Sequence, residues 1–132
     1  MTGRATAPGE LQLKRIYDPV AEEDGLRVLV DRLWPRAVSR EQACIDHWLP
    51  QVAPSHLLRR WFGHDLRRWP EFQRRYRAEL AGSAAFDELR TLAAVPIITL
   101  LYGARDRQHN QAVVLAQLLS GKGGDGADPR FE

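Results

Sequence analysis

Two short segments concentrate side chains able to do chemistry: Asp31-Arg32-Leu33-Trp34-Pro35-Arg36 and Arg105-Asp106-Arg107-Gln108-His109-Asn110. In the first, an Asp-Arg pair precedes an aromatic plate, a proline and a further Arg. A carboxylate at Asp31 serves as acid, base or polar anchor, while Arg32 and Arg36 offer planar forks that grip phosphate or carboxylate. The same residues suit a structural role equally well, with Asp31 ion-paired to one Arg and Trp34 in the core. In the second, Arg105 and Asp106 stand before a helix start, whose unpaired N–H groups favour anions. This spacing predicts Asp106 as the N-cap and His109 about one turn inside the helix, where the dipole disfavours an imidazolium. His109 is then a base or a neutral donor. The alternative is that Asp106 only caps, while His109 and Asn110 bond back to the loop.

A third region is less specific. Residues 55–77 carry seven Arg against two acids, with aromatics interleaved, a composition suited to RNA or single-stranded DNA. Trp69, Phe72 and Tyr76 also follow the helical period, which makes them core and the Arg residues a solvated face. His64-Asp65 after Gly63 reads either as a dyad or as a helix end followed by an N-cap. None of His47, His56, His64 and His109 has a partner at zinc-like spacing, so no metal is expected, and no cofactor is indicated. Cys44, the one cysteine, excludes an internal disulfide and reads as an inert thiol. No nucleophile elbow, Walker loop or dinucleotide fingerprint occurs.

The elements that must position these residues are legible in outline. Residues 11–17 read as a strand stopped at Asp18-Pro19, and 26–33 as a buried strand ended by Trp34-Pro35. Ser39 and Gln42 form a capping-box pattern. Residues 45–52 fit a short helix or a brief edge strand. Pro54-Ser55 opens a helix that Gly63 closes. Asp65 caps the next, which starts at Pro70 or kinks there; Ser83 caps another. Val95–Tyr102 is strand-like, and a final helix follows. Long connections between apolar strands imply parallel pairing covered by helices. The predicted fold is therefore an α/β, small three-layer sandwich with a mostly parallel sheet, a single domain over 11–120. Residues 1–10 are expected to be flexible and 121–132 disordered. In such sheets ligands bind beyond the carboxyl ends of the strands, which gathers Arg15, Tyr17, Asp31, Arg32, Trp34, Arg36, Tyr102, Arg105, Asp106, His109 and Asn110.

Composition limits the function classes. The 132 residues carry a net charge of only +2, too small for a global field that drives nucleic-acid binding. Seventeen of the 19 basic residues are Arg, the better residue for bidentate anion contacts. There is no secretory apolar region near the start and no stretch long enough to span a bilayer, so a cytoplasmic protein with no membrane partner is expected.

Several segments together resemble the YeaO-like branch of the bacterial domain of unknown function 488. They are Lys14-Arg15-Ile16-Tyr17-Asp18-Pro19, the run from Gly25 through Asp31-Arg32-Leu33-Trp34-Pro35-Arg36, and Ala53-Pro54-Ser55. Leu58 through Trp61-Phe62-Gly63-His64-Asp65, Phe72, Arg75-Tyr76, Glu79-Leu80, and Thr99-Leu100-Leu101-Tyr102 to His109-Asn110 complete the likeness. The resemblance implies a compact α/β fold in the cytoplasm and no particular reaction. Where that pattern has Gly after Trp-Pro-Arg this chain has Ala37, which is strained if the position needs positive φ. Where it has Lys, this chain has Arg105, so a Schiff-base lysine is excluded there.

These readings converge on a pocket for a small anion (phosphate ester, nucleotide or carboxylate) with Arg15, Arg32, Arg36 and Arg105 as anion contacts. Tyr17, Trp34, His64, Tyr102, Asp106 and Asn110 join as further ligand-binding candidates, with Asp31 and His109 as acid/base candidates for hydrolysis or group transfer. A nucleic-acid-binding module using residues 55–77 and a non-catalytic interaction protein are the alternatives.

Overall fold

The computed structural model describes residues 9–121. The expected flexible start and disordered tail fall outside the described residues, except that Glu10 already belongs to a strand and Gly9 and Gly121 flank the fold. Four strands form one parallel sheet: β1 (Glu10–Arg15), β2 (Leu26–Leu29), β3 (His47–Trp48) and β4 (Ile97–Tyr102), in spatial order β1-β4-β2-β3. β4 holds the centre because Ile-Ile-Thr-Leu-Leu-Tyr is β-branched or apolar almost throughout, as a strand covered on both faces requires. Its register pairs Leu13 with Leu100 on one side and Val28 with Leu100 on the other. Parallel pairing sends every strand's carboxyl end to the same edge. With β4 between β1 and β2, the loops after these three strands become neighbours there.

Side chains alternate across the sheet. Val28, Val30, Ile98, Leu100 and Tyr102 face a core completed by α2 (His56–Phe62), α3 (Trp69–Leu80), α4 (Ala84–Leu92) and α5 (Gln111–Leu119). Phe62, Trp69, Phe72 and Tyr76 stack through this layer, with Phe62 and Phe72 centroids 4.5 Å apart. Buried Tyr76 satisfies its hydroxyl by donating to the Val52 carbonyl at 2.5 Å. The third layer is thin. Leu29, Leu101 and Ile16 meet Ala43 of the single-turn α1 (Arg40–Ala43), with Trp34, Val38, Ile45 and Trp48 beside them.

Several local signals hold. Ser39 and Gln42 make both bonds of the capping box, while Ser55 and Ser83 cap α2 and α4 through their hydroxyls. Gly63 ends α2 in the left-handed region. Pro70 sits in the first turn of α3, where its missing N–H costs nothing. Residues 45–52 combine both expectations, a two-residue edge strand followed by a 3₁₀ turn over Pro50–Val52.

The start of the last helix is a correction. Asp106 does not cap it: Oδ1 accepts the N–H groups of Gln108 (2.9 Å) and His109 (3.0 Å), closing a local turn. Asn110, extended at φ −145°, is the N-cap, accepting from the Val113 N–H at 3.2 Å. His109 therefore precedes α5, and the premise that placed it inside the first helical turn does not apply. Asp and Asn both serve as caps, so composition alone could not choose between them.

Candidate functional site

A cleft of about 840 Å³ opens at the carboxyl edge of the sheet. The loop after β1 contributes Arg15 and Tyr17; the loop after β2, Asp31 and residues 33–37; the loop after β4, Gly103, Ala104 and Arg105. His109, Asn110 and Gln111 come from the start of α5. Ala53 and Pro54, then Arg59, Phe62 and His64 at α2, and Phe72 of α3, complete the lining.

Asp31 is the acid of this lining. Oδ2 accepts the Gly103 N–H at 3.0 Å and Oδ1 accepts the Gln111 amide at 2.6 Å, while the Asp31 carbonyl takes the Trp48 indole N–H. Gly103 is needed for this approach, since a Cβ there would lie 2.8 Å from Oδ2. Burial raises the Asp31 pKa to about 6, against the hydrogen bonds from Gln111 and Gly103 and the charge of Arg59, which lower it.

The cations divide into two kinds. The guanidinium of Arg15 donates to the Ala104 and Gly103 carbonyls (2.8 and 3.1 Å) and lies over the Tyr17 ring. Arg36, Arg59 and Arg105 are exposed, and their guanidiniums make no hydrogen bond or close ion pair with any described residue. Ion pairs outside the cleft secure its walls. Arg107 binds both oxygens of Asp18 (2.8 and 2.9 Å), tying the loop after β4 to the loop after β1 and holding the Asp18 carboxyl down at about 2. The Tyr17 hydroxyl donates to the Arg36 carbonyl at 2.9 Å.

Two histidines line the cleft differently. His109 Nδ1 lies 2.9 Å from Asp106 Oδ2, and its ring meets Trp69 edge-on. His64 is exposed, 6.2 Å from the Phe62 ring and at φ 59°, directly after Gly63 at 52°. Ala37 also lies in the left-handed region, at φ 61°. The missing glycine of the Trp-Pro-Arg loop is therefore a real strain, about 1–2 kcal/mol for a residue with a Cβ.

Of the sequence-derived candidates, the fold gathers Arg15, Tyr17, Asp31, Trp34, Arg36, His64, Arg105, His109 and Asn110 at one cleft. It does not bring three others there. Arg32 turns away and donates to the Ala53 and Pro54 carbonyls (3.0 and 3.2 Å). Tyr102 points into the core, because strand alternation sets it with Ile98 and Leu100. Asp106 stands behind His109 rather than in the lining. Trp34 is half core, its indole N–H on the Val38 carbonyl and its ring edge-on to Trp48. Sequence reasoning missed Arg59 and Gln111. Arg59 follows core residue Leu58 and so falls at the flank of the buried stripe, but only the placement of α2 beside the β2 end reveals it. Gln111 carries no local signal.

The Arg-rich segment 55–77 is largely self-compensated. Arg74 and Arg75 share Glu71, Arg67 and Arg68 face Asp65, and Arg68 and Arg75 cover the Trp61 ring. No cluster of metal-ligating side chains occurs among the described residues. No helix among them is long and apolar enough to cross a membrane.

A family model described as "Inactive DUF488-N3 subclade" matches residues 10–127. An uncharacterised protein of Mycobacterium tuberculosis is 40% identical over 112 residues, covering 85% of this chain and 95% of its own. The Escherichia coli protein called YeaO is 39% identical over 110 residues, covering 83% and 96%. No solved structure matches.

Proposed function

The chain belongs to the domain of unknown function 488 family, and from that premise we propose that its cleft is a receptor site for an anionic small molecule, acting by binding rather than by turnover. The observation that carries this reading is the trio Arg36, Arg59 and Arg105. Several exposed Arg residues elsewhere, among them Arg67, Arg74 and Arg107, find carboxylates within the chain. Arg36 and Arg105 lack such partners and Arg59 bears on Asp31 through its charge alone, with no close ion pair, so three guanidiniums around one concavity favour a ligand that supplies the negative charge.

The same surroundings argue against covalent group transfer. Asp31 holds two fixed donors, the Gly103 N–H of the loop after β4 and the Gln111 amide of α5, which make it an anchor and an acceptor in the cleft. Neither Cys44 nor any serine is among the lining residues, leaving a covalent route without a thiol or serine nucleophile. The family description "inactive" agrees with a site that binds without reacting.

Calorimetric titration with inorganic phosphate, ribose 5-phosphate and citrate tests the proposal. At least one is expected to bind, and Arg36→Ala with Arg105→Ala together should weaken it at least tenfold while circular dichroism stays unchanged. Binding that survives the double substitution, or catalytic release of phosphate from a monoester, refutes the reading.

A further inference from the structure

The cleft is too large and too varied for a bare anion. Its volume of about 840 Å³ lies in the range of sites that hold drug-sized ligands, and its lining is cationic only in part. The exposed His64 ring supplies an aromatic face at one side, tilted 51° to the buried Phe62 ring behind it, with Pro54 and Leu33 also in the lining. His64 keeps its ring at the cleft from a left-handed backbone conformation, an arrangement that costs energy and needs something to retain it.

A second observation narrows the chemistry. Amid the Arg residues sits a carboxylate, Asp31, which repels a simple anion. An ionised carboxylate has about four acceptor positions; Gly103 and Gln111 fill two. The remaining capacity belongs to a lining residue and suits a ligand with an N–H donor. Phosphate-matching cations, an exposed aromatic ring and an acceptor within one cleft describe a ligand with an anionic end and a flat ring bearing N–H.

Resting on the receptor reading above, we propose that the cleft binds a nucleoside monophosphate, with the phosphate held among Arg36, Arg59 and Arg105, the base against the exposed His64 ring, and a base N–H donated to Asp31. Each part answers to a different partner. The phosphate supplies most of the attraction, the ring adds stacking with little demand on base identity, and Asp31 favours a nucleotide over a sugar phosphate by accepting a base N–H. Adenine, guanine and cytosine donate through an exocyclic amine, and uracil through a ring N–H.

The test is a titration of the full chain with AMP, GMP, CMP and UMP beside ribose 5-phosphate, at pH 7.5. At least one nucleotide should bind tenfold or more tightly than ribose 5-phosphate. Asp31→Asn should cut that preference below threefold, yet leave ribose 5-phosphate bound as well as before or better, because a repelling charge has gone. His64→Ala should reduce the preference without changing ribose 5-phosphate binding. If no nucleotide exceeds ribose 5-phosphate, or if the preference survives Asp31→Asn, the nucleotide proposal falls and the anion receptor stands. If no nucleotide binds, nor ribose 5-phosphate, inorganic phosphate or citrate, both fall. The wild-type comparison decides the matter even if Asp31→Asn folds poorly.

Discussion

Two charged regions of this small domain are built from the same residue types and behave in opposite ways. On the thin side of the sheet, Asp24 and Arg27 are 2% and 4% exposed. Asp24 takes Lys14 Nζ at 2.9 Å and Arg27 at 2.5 Å, and the other arms of Arg27 reach the Cys44 and Ala43 carbonyls. Thr99 closes the set by donating to the Asp24 carbonyl at 2.7 Å. At the carboxyl edge, Arg36, Arg59 and Arg105 have no such partners, and Asp31 is held by neutral donors. The difference teaches how to separate structural charge from charge available to a ligand. Burial forces complete pairing, because an uncompensated buried ion costs several kcal/mol. Guanidiniums that remain unpaired must stay in contact with solvent, as those at the cleft do.

The sharpest way to break the comparison is Asp24→Ala. It leaves Arg27 buried without its countercharge, and a loss of about 3–5 kcal/mol is expected in urea unfolding. Burial pushes the Asp24 pKa up, but hydrogen bonds from Lys14, the Ala21 N–H and Arg27 outweigh it and the net shift is downward. Its contribution is thus present above the ordinary carboxylate pKa and lost as pH falls through the lowered value.

Asp31 should show the reverse sign. With a folded pKa of about 6 against 3.8 for the free side chain, the folded protein holds the extra proton between these values, so stability falls as pH rises from about 4 to 6. Two pKa units set a ceiling of about 3 kcal/mol. Asp31→Asn should therefore stabilise the fold by about 1–2 kcal/mol at pH 7.5, with Gln111 turning its amide oxygen toward the new NH₂. The variant should also flatten the pH dependence of the unfolding midpoint between 4 and 6. A destabilised variant at pH 7.5 would show that the charge itself supports the loop.

Smaller effects sharpen the contrast. Ala37→Gly relieves a left-handed backbone at φ 61°. A gain of about 0.5–1 kcal/mol is expected after the greater chain entropy of glycine is subtracted, measured by thermal unfolding. Arg36→Ala and Arg105→Ala should leave the unfolding midpoint unchanged, unlike any change at Arg27, since neither guanidinium has a partner to lose.

Much of the fold is legible because its signals are local. Ser39, Ser55, Ser83 and Gly63 act within four residues of themselves, and Ile97–Tyr102 announces a central strand by its own composition. The start of the last helix was misjudged for the complementary reason. Asp106 and Asn110 are both competent caps, and the choice fell to Asn110 once Asp106 had closed the turn with Gln108 and His109. The site was legible where strands end, so Arg15, Asp31, Arg36 and Arg105 could be named together. Arg32 and Tyr102 carry the same residue-type signal but face elsewhere, and Arg59 comes from a helix that only packing brings to the edge.

The sequence alone determined the type and order of most elements, the α/β class and the two strand-end segments rich in charge, because propensity, capping and alternation operate along a few residues. Tertiary structure decided which charges are satisfied. The Arg27–Asp24 pair is three positions apart, but whether a guanidinium meets a carbonyl or the carboxylate of another loop depends on neighbours 16 to 89 positions away in the chain, and only the packed sheet sets those distances.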